Sequence, residues 1–343
     1  LKLFWPKPLR PAGARTLRPM PGRAALLSLC LAGRAAAGGA ALAELLAEGF
    51  WREPGPHERQ EQAAVLLQLL WDDYAARHGV ALKDGPRSDL CTGRSKHLQL
   101  YGKTPASFKD SPSYAAAKLA AQAAVDSLFG TGTYQLSGKN TVFVNLPNTA
   151  ECWTVPLGWH TDVPVVRERA WPRYWYAFYF LDHCEPRGGA TMLLTRSVPA
   201  AHSRRDVWPQ GGKELKAALA REDPWLEELF GPKEGGCDMY EEATRRARTA
   251  RFMAKGATAG LGAMRVVELV GRPGDLVLWD PRALHSGSNN VGCRPRSVLK
   301  FRFDRADGQP APSAAERAAA RADWQRKLAA SSAERRRRRA DGG

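Results

Sequence analysis

A chain of 343 residues can bury a sizeable core, and 44% hydrophobic with 25% charged residues excludes a polypeptide disordered throughout. The formal charge of +16 would point to nucleic acid if it were spread evenly, but residues 1–43 hold seven Lys or Arg and no acid, and from Ala311 onward nine basic residues face four acidic ones. The ends thus carry +7 and +5, which leaves +4 for the 267 residues between them, a nearly balanced globular body.

In chain order, a basic, acid-poor extension over 1–47 comes first. It is open to three readings: an organellar transit peptide (plastid or mitochondrion), a secretory signal built on "AALLSLCLA" (Ala24–Ala32), or an untargeted extension of a processed or longer chain that opens on Leu1. No stretch reaches the roughly 18 apolar residues of a membrane span. A soluble protein of the cytoplasm or an organelle is expected, the secretory route being the weaker fit. The six cysteines form no CxxC pair, which argues against a zinc ribbon or a disulfide framework and predicts reduced thiols.

Residues 48–140 read as a helical scaffold. "RQEQAAVLLQLLWDDYAAR" (Arg59–Arg77) places Val65, Leu66, Leu69, Leu70 and Tyr74 near helical spacing. Ser111 and Pro112 open a second helix, which Gly130 closes, with Tyr114, Ala121, Val125 and Leu128 on one face. From Thr141 the texture becomes β: "TVFVNL", "GWHTDVPVV", "WYAFYFLD", "ATMLLT", "RVVELV", "DLVLWD" and "SVLKFRF" are short aromatic and β-branched runs broken by Gly and Pro turns. The fold expected is mainly β with flanking helices, a sandwich or jelly roll over 141–305, interrupted by a polar, helix-leaning insertion at 201–263. Residues 48–305 would form one domain, followed by a basic tail over 306–343.

Within "GWHTDVPVV", His160 and Asp162 lie one residue apart, and in a strand such residues share a face. An imidazole and a carboxylate presented together are two ligands of a two-His-one-carboxylate site, the arrangement of non-haem Fe(II) oxygenases. The alternatives are that Asp162 merely orients His160, or that both face solvent on an edge strand. His285 follows "DLVLWDPRAL" at a strand end, and Arg296 opens the next strand, where its planar fork can grip a carboxylate at two points.

Together, Trp159-His160-Thr161-Asp162, "PRGGAT" (186–191), "PGDLVLWDPRALHSGSNN" (273–290) and an arginine eleven positions after His285 resemble the phytanoyl-CoA dioxygenase-like family of Fe(II)- and 2-oxoglutarate-dependent oxygenases. The resemblance covers roughly Thr141–Phe303. It implies a double-stranded β-helix (jelly roll, cupin-like) core, His160, Asp162 and His285 as metal ligands, and Arg296 as the anchor of the distal carboxylate of 2-oxoglutarate. It also implies dioxygen as cosubstrate, with succinate and carbon dioxide released. Halogenating relatives lack the carboxylate ligand, so Asp162 favours hydroxylation or related oxidation. The family's serine two residues after the distal histidine is replaced by Gly287, which leaves Ser288 as the substitute, and Asn145 is the candidate for assisting the cosubstrate near the metal.

"WTVPLGW" (Trp153–Trp159) and "RERAWPRYWYAF" (Arg167–Phe178) place aromatic residues and Arg167, Arg169 and Arg173 near the metal segment, which fits a small apolar or anionic substrate and fits equally the core and rim of a barrel. The insertion reads either as a lid or, in "EEATRRARTARF", as a solvated helix. Two other functions compete. The five arginines at 335–339 could recruit a nucleic-acid- or protein-directed oxygenase electrostatically, although the near-neutral body and the lack of a recognition motif weigh against nucleic acid. A non-enzymatic, metal-binding cupin-like barrel is the other, and Arg296 argues against it.

Overall fold

The computed structural model describes residues 39–78, 99–100, 103–147, 152–163, 172–203, 212–231, 241–254, 256–258 and 262–306. Most of the N-terminal extension, nearly all of the basic tail, and Arg167 and Arg169 lie outside these residues.

A helix, α1 (39–48), leads into β1 (Phe50–Glu53), α2 (His57–His78), β2 (Gln99–Leu100), α3 (Ala106–Lys109) and α4 (Pro112–Phe129). The β region then runs through β3 (Tyr134–Leu136), β4 (Thr141–Asn145), β5 (Tyr174–Phe180) and β6 (Thr191–Leu194). Helices α5 (Ser197–Ser203), α6 (Gly212–Glu222), α7 (Pro224–Phe230) and α8 (Glu242–Met253) follow. The chain closes through β7 (Gly256–Thr258), β8 (Gly262–Met264), β9 (Val266–Glu268), β10 (Leu276–Trp279), β11 (His285–Gly287) and β12 (Arg296–Arg305). No helix among the described residues is long and apolar enough to cross a membrane.

Two antiparallel sheets face each other. The large one has the order β1-β10-β5-β12-β4-β2, with β3 also on β12, and the small one has the order β11-β6-β9, widened by a single bridge from His160 to His285. From β4 onward the chain winds between them: β4 in the large sheet, the His160 bridge in the small, β5 large, β6 and β9 small, β10 large, β11 small, β12 large. This winding is a double-stranded β-helix, the jelly roll expected from the sequence.

Period-two alternation sorts the side chains into layers. Trp175, Ala177 and Tyr179 of β5 and Leu299, Phe301 and Phe303 of β12 pack outward against Leu66, Leu70, Ala121 and Val125 of the helices. Their neighbours Tyr174, Tyr176, Phe178 and Phe180, with Val298, Val277 and Trp279, fill the interior. A strand covered on both faces has no polar positions to spare, which is why "YWYAFYF" reads as one apolar run. On α2 the buried stripe is Ala63, Leu66 and Leu70, whereas Val65, expected on that face, is 48% exposed. The residues on either side of the stripe are too close to tell apart by hydrophobicity alone.

The insertion corrects a second expectation. Leu215, Leu219, Leu226, Leu229 and Phe252 of α6–α8 pack with Trp159, Met192, Leu194 and Val266 on the outer face of the small sheet. Helix α8 is therefore docked rather than wholly solvated. Its Arg248 is buried, lies over the Phe252 ring, and donates to the carbonyls of Glu228 (2.9 Å) and Leu229 (3.1 Å) at the end of α7, where helical carbonyls lack internal partners. Arg248→Ala is expected to cost about 1–3 kcal/mol, since it leaves buried carbonyls short of a donor. Denaturant unfolding measures this, and a change below about 0.5 kcal/mol would mark α8 as a free surface helix.

The thiols also differ from expectation. Cys184 and Cys293 form no disulfide, but Cys152 is disulfide-bonded. Scattered spacing does not reveal which cysteines the fold brings together.

Candidate metal centre

Over its described residues 158–163, the "GWHTDVPVV" segment is not the regular strand its pattern predicted. It makes one bridge, His160 N–H to His285 carbonyl and His285 N–H to His160 carbonyl, both 2.9 Å, and then bends at Asp162. The Asp162 N–H is caught at 3.0 Å by the Pro281 carbonyl of the β10–β11 turn. The two histidines thus sit directly across from one another, their ring centroids 4.3 Å apart.

Each imidazole donates Nδ1–H to a carbonyl two residues back, His160 to Gly158 (3.0 Å) and His285 to Ala283 (2.9 Å). A carbonyl can only accept, so Nδ1 carries a proton in both rings, which leaves Nε2 as the nitrogen available to a metal. Both Nε2 atoms point at one carboxylate oxygen, Asp162 Oδ1, at 3.7 Å from His160 and 3.5 Å from His285. The three ligand atoms lie within 4.8 Å of one another and could hold a metal ion. The exposures are graded: the His285 side chain is 7% exposed, Asp162 30% and His160 54%, so the cluster is anchored deep on one side and open on the other. Burial raises the Asp162 pKa, but the contact with His285 and the charges of His285, Lys300 and His160 outweigh it and hold the carboxyl below its ordinary value.

The turn that supplies the Pro281 and Ala283 carbonyls is pinned by a buried ion pair. Arg282 Nη2 donates to Asp280 Oδ2 at 2.7 Å and Nε to Oδ1 at 3.0 Å, while the Arg282 backbone N–H adds a bond to Oδ1 at 2.9 Å. Asp280→Ala is expected to destabilise the fold by about 3–5 kcal/mol, because it robs a buried guanidinium of its carboxylate. It should also weaken metal affinity roughly 10–100-fold, as loss of a group that orients ligands does. Thermal unfolding and metal titration of the variant read the two effects separately.

Arg296, the first residue of β12, points into the interior and is buried opposite Asn145. Its Nη2 donates to Thr191 Oγ1 (3.2 Å), its plane lies 5.1 Å from the Phe178 ring, and its Nε has no partner. Among the described residues no carboxylate pairs with it. Burial lowers its pKa, opposed by the neighbouring Cys184 thiol, which burial in turn pushes up to about 11. Ser288 and Asn145 lie beside it, with their donors engaged: Ser288 Oγ donates to the Ala190 carbonyl (2.9 Å), and Asn145 Nδ2 to the carbonyls of Ser288 (3.1 Å) and Gly189 (3.3 Å). They brace this corner. Gly189 completes it at φ +78°, where an added Cβ would stand 2.4 Å from Asn145 Nδ2.

Sequence reading missed Thr191 as the partner of Arg296, although it closes "PRGGAT". It also missed three interior side chains. Trp279 meets His285 edge-on at 4.7 Å, and Tyr176 lies 5.0 Å from Trp279. Lys300 Nζ stands 4.1 Å from the centre of the Tyr176 ring and 4.9 Å from that of Phe143. The period of two from Arg296 along β12 was the available signal.

The phytanoyl-CoA dioxygenase (PhyH) family model matches residues 72–298, from within α2 to the start of β12, a span that holds His160, Asp162, His285 and Arg296. The chain belongs to the phytanoyl-CoA dioxygenase family. It is a 2-oxoglutarate-dependent dioxygenase, and its His-Asp-His cluster suits the Fe(II) of that chemistry. No curated protein matches the chain. Among solved structures, the epimerase SnoN in complex with Fe3+, alpha ketoglutarate and nogalamycin RO is 15% identical, covering 79% of this chain and 84% of that one, with a TM-score of 0.41. EctD from S. alaskensis with bound Fe is 15% identical over 79% and 77% at 0.39. HygX from Streptomyces hygroscopicus with nickel and 2-oxoglutarate is 12% identical over 77% and 86%, also at 0.39. Membership of the phytanoyl-CoA dioxygenase family rests on residues 72–298 and not on these distant likenesses.

Proposed function

We propose that residues 48–305 form an oxygenase unit in which His160, Asp162 and His285 hold Fe(II), Arg296 anchors 2-oxoglutarate, and a small organic substrate is hydroxylated or otherwise oxidised. The observation that carries this reading is the convergence of two Nε2 atoms on Asp162 Oδ1, with both imidazoles fixed from behind by the Gly158 and Ala283 carbonyls.

His160, Asp162 and His285 would hold Fe(II), which would supply dioxygen activation with 2-oxoglutarate as the co-reductant, substrate being oxidised and succinate and carbon dioxide released. The chain orients and excludes. Arg296 offers its fork to the distal carboxylate, and a buried guanidinium that no carboxylate of the described residues neutralises is the complement of such a ligand. Phe178, Phe180, Leu193 and Val298, buried together in the interior beside Arg296, would help exclude water from a cosubstrate held there. A barrel without cosubstrate would give this guanidinium no anion to bind.

The test is to add Fe(II) and then 2-oxoglutarate to the full chain without oxygen and record the visible spectrum. A metal-to-ligand charge-transfer band, the mark of a bidentate 2-oxoglutarate complex, is expected. Iron bound with no band would leave a metal-binding barrel of another kind.

A further inference from the structure

The proposed function gives no task to Lys300. On β12 the inward positions are Arg296, Val298, Lys300, Arg302 and Asp304. Arg302 is satisfied at once by Asp304, at 2.7 Å from its Nε. Lys300 touches ring faces, Tyr176 at 4.1 Å and Phe143 at 4.9 Å; the charge of Asp162 reaches it, but no carboxylate among the described residues lies within ion-pair distance. A ring face attracts an ammonium by about 0.5–2 kcal/mol but does not cancel its charge.

Charge balance sharpens the point. A divalent metal with Asp162 leaves one positive charge at the cluster, and Arg296 adds a second. A dicarboxylate cosubstrate neutralises both. The Lys300 charge then remains on a wall of Tyr176, Trp279 and Phe143, where an unmatched ion is costly. The two cationic heads also diverge. Arg296 leans over Phe178 and Lys300 over Tyr176, two residues further along β5 and so about 7 Å away. Tyr176 touches Trp279, the neighbour of His285, at 5.0 Å, as Phe178 does at 5.5 Å, and the charge that acts on Lys300 from the cluster is that of Asp162, so Lys300 flanks the metal side of the chamber.

We infer that the Lys300 ammonium binds an anionic group of the substrate, a carboxylate or a phosphate ester carried on an apolar body that lies against Tyr176 and Trp279. This inference rests on the proposed function and names the substrate class of the same site. The other source of such an anion is 2-oxoglutarate itself, through the carboxylate nearer the metal.

The experiment uses the full chain loaded with Fe(II) and 2-oxoglutarate without oxygen, as wild type, Lys300→Met and Lys300→Arg. Calorimetry compares phenylpropionate, octanoate and phenyl phosphate with phenylpropionamide, octanamide and phenol, and the charge-transfer band gives the 2-oxoglutarate midpoint. At least one anion should bind the wild type tenfold or more tightly than its neutral partner. That preference should vanish in Lys300→Met and survive in Lys300→Arg, with both variants within twofold of the wild-type 2-oxoglutarate midpoint. A tenfold rise of that midpoint in Lys300→Met would assign the lysine to the cosubstrate and overturn the inference, as would anions binding no better than their neutral partners. No band in the wild type would instead sink the proposed function, while the calorimetry on iron-loaded protein would still decide Lys300.

Discussion

His160→Ala is expected to abolish Fe(II) binding and turnover while leaving thermal stability almost unchanged. The His160 side chain is half exposed and covers little of the core, so its removal should cost no more than about 0.5 kcal/mol, the usual range for surface changes. His285→Ala should lose the metal equally but also unfold at lower temperature. That ring is 7% exposed and packs edge-on against Trp279, so its loss opens a cavity beside a large aromatic, at about 1–3 kcal/mol. Iron titration and thermal unfolding of the two variants separate ligand loss from fold loss. Wild-type iron occupancy in either would remove the ligand assignment.

Arg296→Met should raise the 2-oxoglutarate concentration needed for half-maximal charge-transfer absorbance by two orders of magnitude or more, with iron binding retained. Two charge-assisted hydrogen bonds of about 1.5–3 kcal/mol each set that scale. Stability should move the other way. A guanidinium buried without a carboxylate is a cost to the fold, so the cosubstrate-free variant is expected to melt at or above the wild-type temperature. A structural arginine would show the reverse, a lower melting temperature with an unchanged midpoint, and that pair of results would refute the anchoring role.

Parts of the fold were legible because their signals are local. Helix α4 begins after Ser111 and ends before Gly130, where a capping residue, a proline and a glycine mark its ends. Strands β4, β5, β6, β9, β10 and β12 lie within or beside the apolar runs that predicted them. Strand β1 was not legible. "FWRE" has no clean alternation, and it becomes a strand only by pairing with Leu276–Trp279, more than two hundred residues later. Arg248 was similarly opaque, since a charged residue in a mixed run reads as solvated until the carbonyls it caps are in place.

By itself the sequence determined the chemistry available: two imidazoles and a carboxylate at 160, 162 and 285, one arginine fork at 296, and alternating strands to carry them. Residue type and short-range period are properties of the chain before it folds. Only the tertiary structure decided that His160 bridges His285, that the Gly158 and Ala283 carbonyls fix both rings, that Ser288 and Asn145 brace the backbone, and that Lys300 is left facing bare aromatic rings. Those outcomes depend on which strands pair and in what register, and cross-strand hydrogen bonds between residues far apart in the chain leave almost no trace in local sequence pattern.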